Sequence, residues 1–262
     1  MKSTLSEYRT FFREFRETFK TTGAIAPSGR SLARATVQPL VDRDRPARIL
    51  EVGAGTGAVT REIVKHIREG DLLDVVELNE RFVEVLNYRF ANEPSWKRVA
   101  SQARVLHMEV QKLKPDELYD FLICGVPFNN FSIGLTREIF RHFTKLLKPG
   151  GTLTFFEYKW IRRFKGFMAN SNERKRLTGV GHVLGRYLKR YEFQCDTAWV
   201  NFPPAMAHHL RLMEAPGSES SGSSSSATKS SSPKSASPKS SGSGKSSGKH
   251  STASSRSKRK KR

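Results

Sequence analysis

Residues 48–57 read Arg48-Ile-Leu-Glu-Val-Gly-Ala-Gly-Thr-Gly57, an apolar run that ends in an acid and three spaced glycines. The pattern predicts a buried strand that delivers the chain into a turn, where missing side chains let the backbone approach a ligand closely. Gly53, Gly55 and Gly57 follow a Gly-x-Gly-x-Gly spacing, not the Gly-x-Gly-x-x-Gly of dinucleotide sites. No Gly-Lys-Ser/Thr ending follows, which argues against a nucleoside triphosphate. The acid at Glu51 suits an ammonium group.

Working outward, helices are predicted at 58–68, 80–91 and 132–147, and strands at 71–77, 104–108, 120–124 and 152–157, with Lys148-Pro-Gly-Gly151 stopping the third helix. Strands alternating with helices imply a doubly wound α/β sheet that is mostly parallel, with ligands bound beyond the carboxyl ends of its strands. Segments 191–195 and 197–202 read as a closing antiparallel hairpin. Glu77 ends the second strand, where a carboxylate can accept both hydroxyls of a ribose. Glu109 follows the third and is placed to accept a hydrogen from an adenine amine. Together Glu51, Glu77 and Glu109 fit the amino acid, ribose and base of S-adenosylmethionine, and the fold class expected is the Rossmann-like class I methyltransferase. No metal is called for.

Methyl transfer is an in-line displacement, so the protein mainly has to align a lone pair and exclude water. The fourth strand ends in Cys124-Gly-Val-Pro-Phe-Asn-Asn130. Pro127 and Phe128 are expected to form a rigid aromatic wall beside the methyl, able to hold a cationic amine by cation-π attraction. Enzymes of this fold that methylate an adenine amine usually carry Asn or Asp, then Pro-Pro and an aromatic residue, here. Gly125 and Val126 replace the two leading residues, which favours an aliphatic amine over a base. Such an amine has a pKa of about 10 and must lose a proton before it attacks. Glu157, Tyr158, His107 and His142 are candidates to assist, and spacing does not separate them.

The chain ends differ in character. Leu5, Tyr8, Phe12, Phe15 and Phe19 recur at helical spacing, with Arg9, Arg13, Arg16 and Lys20 largely off that stripe. Residues 3–20 thus read as a basic amphipathic helix, suited to a membrane interface or to packing on the body. A turn-rich loop, 21–29, follows, and Ser28 is positioned to cap the next helix. Residues 215–262 hold 21 serines and no aromatic or large aliphatic residue, so they cannot offset the entropy of ordering and read as a disordered tail. The tail has 11 Lys and Arg against the single Glu219, so the net charge of +21 is shared between tail and body. That charge suggests a polyanionic partner, either nucleic acid or an anionic membrane. Cys124 and Cys195 are too few and too far apart for a disulfide framework or a zinc cluster, which fits a reducing cytosol. The longest apolar stretches fall short of the roughly 20 residues of a membrane span.

As a set these residues resemble the bacterial phospholipid N-methyltransferases, including the ornithine-lipid N-methyltransferases, which are themselves similar to ribosomal RNA adenine dimethylases. The resemblance covers residues 8–213. It rests on Thr22-Gly-Ala-Ile-Ala-Pro-Ser28, Glu51-Val-Gly-Ala-Gly-Thr-Gly57, Gly125-Val-Pro-Phe-Asn-Asn130, Lys148-Pro-Gly-Gly151 and Trp199-Val-Asn-Phe-Pro-Pro204. It implies a membrane-associating helix in 1–22, a methyltransferase domain in 23–214 and a location on the cytoplasmic face of the cell membrane. It further implies successive methylation of a lipid amine, with ornithine lipid ahead of phosphatidylethanolamine. Two other readings compete: an RNA adenine methyltransferase, favoured by the charge, and a non-catalytic basic adaptor for nucleic acid or membrane, against which the glycines and acids stand.

Overall fold

The computed structural model describes residues 29–158, 171–200 and 204–212. The amphipathic segment 3–20, Ser28 and the tail 215–262 lie outside the described residues. Among the described residues the first element is α1 (Arg30–Val41), whose N-cap position is Gly29, followed by β1 (Arg48–Val52), the short α2 (Thr60–Ile63) and β2 (Leu72–Glu77). Next come α3 (Glu80–Asn92), α4 (Pro94–Lys97), β3 (Ala103–His107), β4 (Tyr119–Cys124) and α5 (Ile133–Leu146). β5 (Leu147–Tyr158), α6 (Ser171–Tyr191), β6 (Glu192–Ala198) and β7 (Ala205–Arg211) complete it.

The seven strands lie in the order β3-β2-β1-β4-β5-β7-β6. Five are parallel, and β7 joins β5 and β6 antiparallel. The doubly wound expectation therefore holds, and the strand order reverses between β1 and β4, the place where such sheets bind ligands. Alternation along each strand feeds two cores. Leu50, Val52, Leu122, Cys124 and Phe155 pack with α5 and α6, whereas Ile49, Val75 and Ile123 pack with α1, α3 and Trp96.

Three elements differ from the sequence expectation, each where contacts with other segments intervene. The helix expected over 58–68 stops at Ile63 because its carbonyls are claimed elsewhere. Arg43 donates to the His66 carbonyl, and the Asp71 carboxylate accepts from Arg68 N–H, so the chain tightens into turns. Lys148-Pro-Gly-Gly151 does not precede the fifth strand but lies within it: Gly150 N–H donates to the Leu212 carbonyl, and Leu212 N–H to that of Gly151. The expected 191–195/197–202 hairpin is replaced by a longer one in which 192–198 is one strand and 205–211 its partner. A further helix, α6, was signalled by Leu177, Val180, Leu184 and Tyr187 at helical spacing but is not anticipated in the sequence reading.

Candidate cofactor and acceptor site

β1 carries Glu51 to the switch point, where the carboxylate is 0% exposed. Neither oxygen makes a hydrogen bond of good geometry among the described residues, although the Thr60 hydroxyl and backbone N–H lie close enough to favour the ionised form. Burial first, and the Glu77 charge after it, push the Glu51 carboxyl up to about 8 against the opposing influence of Thr60. A buried carboxylate with no partner is a site that a cation completes.

The turn beyond it is shaped for close approach. Gly53, Gly55 and Gly57 all have positive φ, at 71°, 58° and 84°. A Cβ on Gly53 would lie 2.4 Å from Val126 Cγ2, and one on Gly57 would lie 2.6 Å from Trp96, whereas one on Gly55 would meet nothing within 4 Å. The first and third glycines are therefore demanded by packing, and the middle one keeps space clear.

Glu77 is also buried, and it organises the turn. Its carboxylate accepts from the Gly55, Leu78 and Asn79 backbone N–H groups, each at 2.8 Å. A carboxylate has about four acceptor positions, so capacity remains for a hydroxyl. Burial raises its pKa, and these amides oppose the rise. Glu109 follows β3 and pairs with Lys112 at 2.9 Å. The unsatisfied Glu51, the clear face of Gly55 and the acids at the ends of β2 and β3 fit a ligand with an ammonium group and a ribose.

On the other side of the switch point, Gly125 N–H donates to the Val52 carbonyl at 2.8 Å, and a Cβ on Gly125 would sit 2.7 Å from the Gly53 carbonyl oxygen. Glycine is required here by the neighbouring strand. Cys124 is fully buried and its thiol is pushed up to about 12, so it is no nucleophile. Pro127 is half-buried and begins the turn into residues 128–130.

Phe128 is placed otherwise than expected. Its ring is 3% exposed and packs against Phe131, Phe140 and Phe155 at centroid distances of 6.2, 4.9 and 5.8 Å. The nearby Phe131 and two rings from distant segments, Phe140 and Phe155, hold Phe128 in the core, where it anchors the turn. Of the candidate proton acceptors, Glu157 and Tyr158 lie at the end of β5, adjacent to β4. The Tyr158 ring packs 5.6 Å from Phe156 on the opposite face of the strand from Glu157. His107 is exposed at the end of β3, and His142 lies on α5 beside the Val110 and Leu113 carbonyls.

Two residues without a role in the sequence reading belong to this turn. Asn129 is 8% exposed, and its Oδ1 has no hydrogen-bond partner among the described residues. Arg176, from α6, donates to the Asn129 carbonyl at 2.8 Å and to the Phe131 carbonyl, while Glu173 holds its guanidinium. Nothing local in sequence could reveal this clamp, since it joins segments some 45 residues apart. Arg176→Ala is expected to raise KM for the acceptor about tenfold by loosening the turn. Cofactor Kd, measured by calorimetry, should stay within about twofold, because Arg176 touches nothing near Glu51.

Residues 49–151 match the protein family described as methyltransferase domain. Among curated proteins, the chain is 28% identical over 158 residues to the ornithine lipid N-methyltransferase of Singulisphaera acidiphila, covering 60% of this chain and 81% of that one. It is 30% identical over 105 residues to the ribosomal RNA small subunit methyltransferase A of Dehalococcoides mccartyi, covering 38% of this chain and 32% of that protein. Among solved structures, an O-methyltransferase from Bacillus cereus in complex with SAH superposes with a TM-score of 0.54 at 12% identity, covering 79% of this chain and 91% of that one. The fold is that of the class I S-adenosylmethionine-dependent methyltransferases.

Proposed function

We propose that this S-adenosylmethionine-dependent methyltransferase successively methylates the primary amine of a membrane aminolipid, with ornithine lipid ahead of phosphatidylethanolamine, toward the trimethylated head group. The observation that carries the reading is the contact beneath Gly125. The Gly53 carbonyl, 2.7 Å from where a Cβ would be, leaves no room for the Asn or Asp side chain that an adenine amine requires. The similarity to the Singulisphaera acidiphila enzyme spans 81% of that protein and supports the same choice.

S-adenosylmethionine, when bound, supplies an electrophilic sulfonium methyl. Glu51 is the residue for its ammonium group, Glu77 for its ribose and Glu109 for its base. On the acceptor side, Asn129 Oδ1 offers a hydrogen-bond acceptor to an amine N–H, and Pro127 stiffens the turn that presents it. The lipid ammonium has a pKa of about 10, so a proton must leave before attack. Glu157, with its side chain 11% exposed at the end of β5, is the carboxylate placed to receive it.

Substrate delivery draws on the same end of the sheet. Tyr158 is level with Ala205, and Ala205 with Ala198, so Trp199 and Val200, which follow β6, lie toward the same end of the sheet as the end of β5. Trp199 and Val200 are 66% and 90% exposed, a pair suited to the headgroup region of a bilayer. No helix among the described residues is long and apolar enough to cross a membrane.

A second reading, methylation of adenine in RNA, draws on the net charge of +21 and the similarity to ribosomal RNA methyltransferase A. One experiment separates the two. Full-length protein with methyl-labelled S-adenosylmethionine is offered liposomes containing ornithine lipid, liposomes containing phosphatidylethanolamine, or total RNA. Label in a lipid, with mass increments of successive methyl groups on one head-group class, is the expected result. Label in RNA alone reverses the ranking, and no label in lipid with cofactor bound sinks the lipid assignment.

A further inference from the structure

Along the sequence Cys195 has only the carboxylates of Glu192 and Asp196 nearby, but the pairing of β6 with β7 adds an imidazole to its company. Cys195 is directly opposite His208 across the antiparallel ladder. Glu192, three residues earlier, would by simple alternation fall on the other face of the sheet. The register shift between Glu192 and Gln194 re-aims it: Glu192 pairs with Leu210, two residues from His208 and therefore on its face. As a result, a carboxylate oxygen, a thiol sulfur and an imidazole nitrogen from Glu192, Cys195 and His208 all lie within 4.8 Å of one another.

The imidazole is held as a metal ligand usually is. Phe155 packs on the His208 ring at 5.3 Å and 33°. One ring nitrogen, Nδ1, is 2.6 Å from Glu192 Oε1, and the other, Nε2, is 3.8 Å from Glu157 Oε2. A metal taken at Nδ1 would leave Nε2–H facing the Glu157 carboxylate, the arrangement that orients ligating histidines and raises their basicity. The neighbouring His209 shows what a purely structural histidine looks like here. It is 0% exposed on the opposite face and bonded on both nitrogens, to Thr154 Oγ1 at 2.9 Å and Asp196 at 3.0 Å.

We propose that Glu192, Cys195 and His208 form a binding site for a thiophilic divalent cation of the zinc class. Sulfur and imidazole donors select against magnesium and calcium, which take oxygen ligands. One carboxylate and one thiolate neutralise the ion's charge, and three protein donors leave a fourth tetrahedral position for solvent or another ligand. Glu192 and Cys195 are exposed on β6, the edge strand, so an ion has a direct way in. The site is independent of which acceptor the enzyme methylates.

The test uses full-length protein titrated with Co(II) and then Zn(II). The expected result is one equivalent of cobalt bound with a near-ultraviolet thiolate-to-metal charge-transfer band, bleached by zinc. Cys195→Ser should abolish the band and weaken binding by about a hundredfold. His208→Gln should act similarly, while Cys124→Ser, at a fully buried position in β4, should retain the band. Zinc should raise Tm for the wild-type protein and not for Cys195→Ser. Absence of stoichiometric binding, or a charge-transfer band that survives Cys195→Ser, would overturn the site and leave the Glu192–His208 contact as a simple ion pair.

Discussion

Glu51→Gln is expected to weaken S-adenosylmethionine binding by at least about a hundredfold while making the protein more stable above pH 8. The two effects share one cause. The Glu51 carboxyl is fully buried without a hydrogen bond of good geometry among the described residues, and burial, opposed by Thr60 and aided by the Glu77 charge, raises it from 4.5 to about 8. Between those values the folded protein holds a proton that the unfolded chain releases. Stability is therefore greatest at the acid end of this window and is lost as pH rises through about 8. The full loss is on the order of 5 kcal/mol, and an amide of the same shape avoids it. An ammonium ligand reverses the preference by favouring the ionised form, so binding near neutral pH should release a proton, and affinity should climb from pH 6 to 8. Calorimetry in buffers of different ionisation enthalpy measures the proton, and thermal scans at pH 6 and 9 measure the stability change. An affinity unaltered by Glu51→Gln, with no pH dependence, would remove Glu51 from the cofactor site.

Gly57→Ala and Gly55→Ala, two residues apart, are expected to fail in different ways. At Gly57 the new Cβ meets Trp96 Cη2 at 2.6 Å and Leu86 Cδ2 at 3.0 Å. Both side chains are fully buried, and the Trp96 ring is fixed edge-on to Phe90 at 4.8 Å. Overpacking and a left-handed backbone together should cost on the order of 3 kcal/mol, read as a lower urea midpoint. At Gly55 the Cβ has open space, so only the backbone penalty of about 1 kcal/mol applies. Its direction is the one kept clear beside Glu77, and there the loss should appear in cofactor affinity. Equal destabilisation by both variants, with cofactor affinity retained in Gly55→Ala, would mean that Gly55 faces no ligand.

The clash at Gly57 shows what kind of information a sequence carries. The glycine spacing and the acids at strand ends were legible because each depends on residues adjacent in the chain: a strand must end, a turn must follow, and positive φ calls for glycine. The same holds for α3 and α5, expected over 80–91 and 132–147 and found over Glu80–Asn92 and Ile133–Leu146. Ser132, for example, stands just outside α5 and caps it by accepting from Leu135 N–H. Where carbonyls or amides are captured by distant groups, as Arg43 captures His66, the local pattern misleads.

The acceptor side depends on packing that the sequence does not display. Phe128 looked like a wall because its neighbours in sequence are Pro127 and Asn129. Its neighbours in space are Phe140 and Phe155, and close packing of those rings decides where it points. The grip of Arg176 on the turn and the buried Asn129 amide are likewise products of α6 packing on α5 and against residues 128–130.

By itself, then, the sequence determined the sheet class, the glycine turn and the placing of acids at the strand ends, all of which rest on short-range periodicity and backbone sterics. Only the tertiary structure decided that Gly125 is closed off by the Gly53 carbonyl, that Phe128 belongs to the core, and that Cys195 stands opposite His208. Those outcomes depend on strand register and side-chain packing between segments far apart in the chain, where a one-residue shift sends every side chain to the other face.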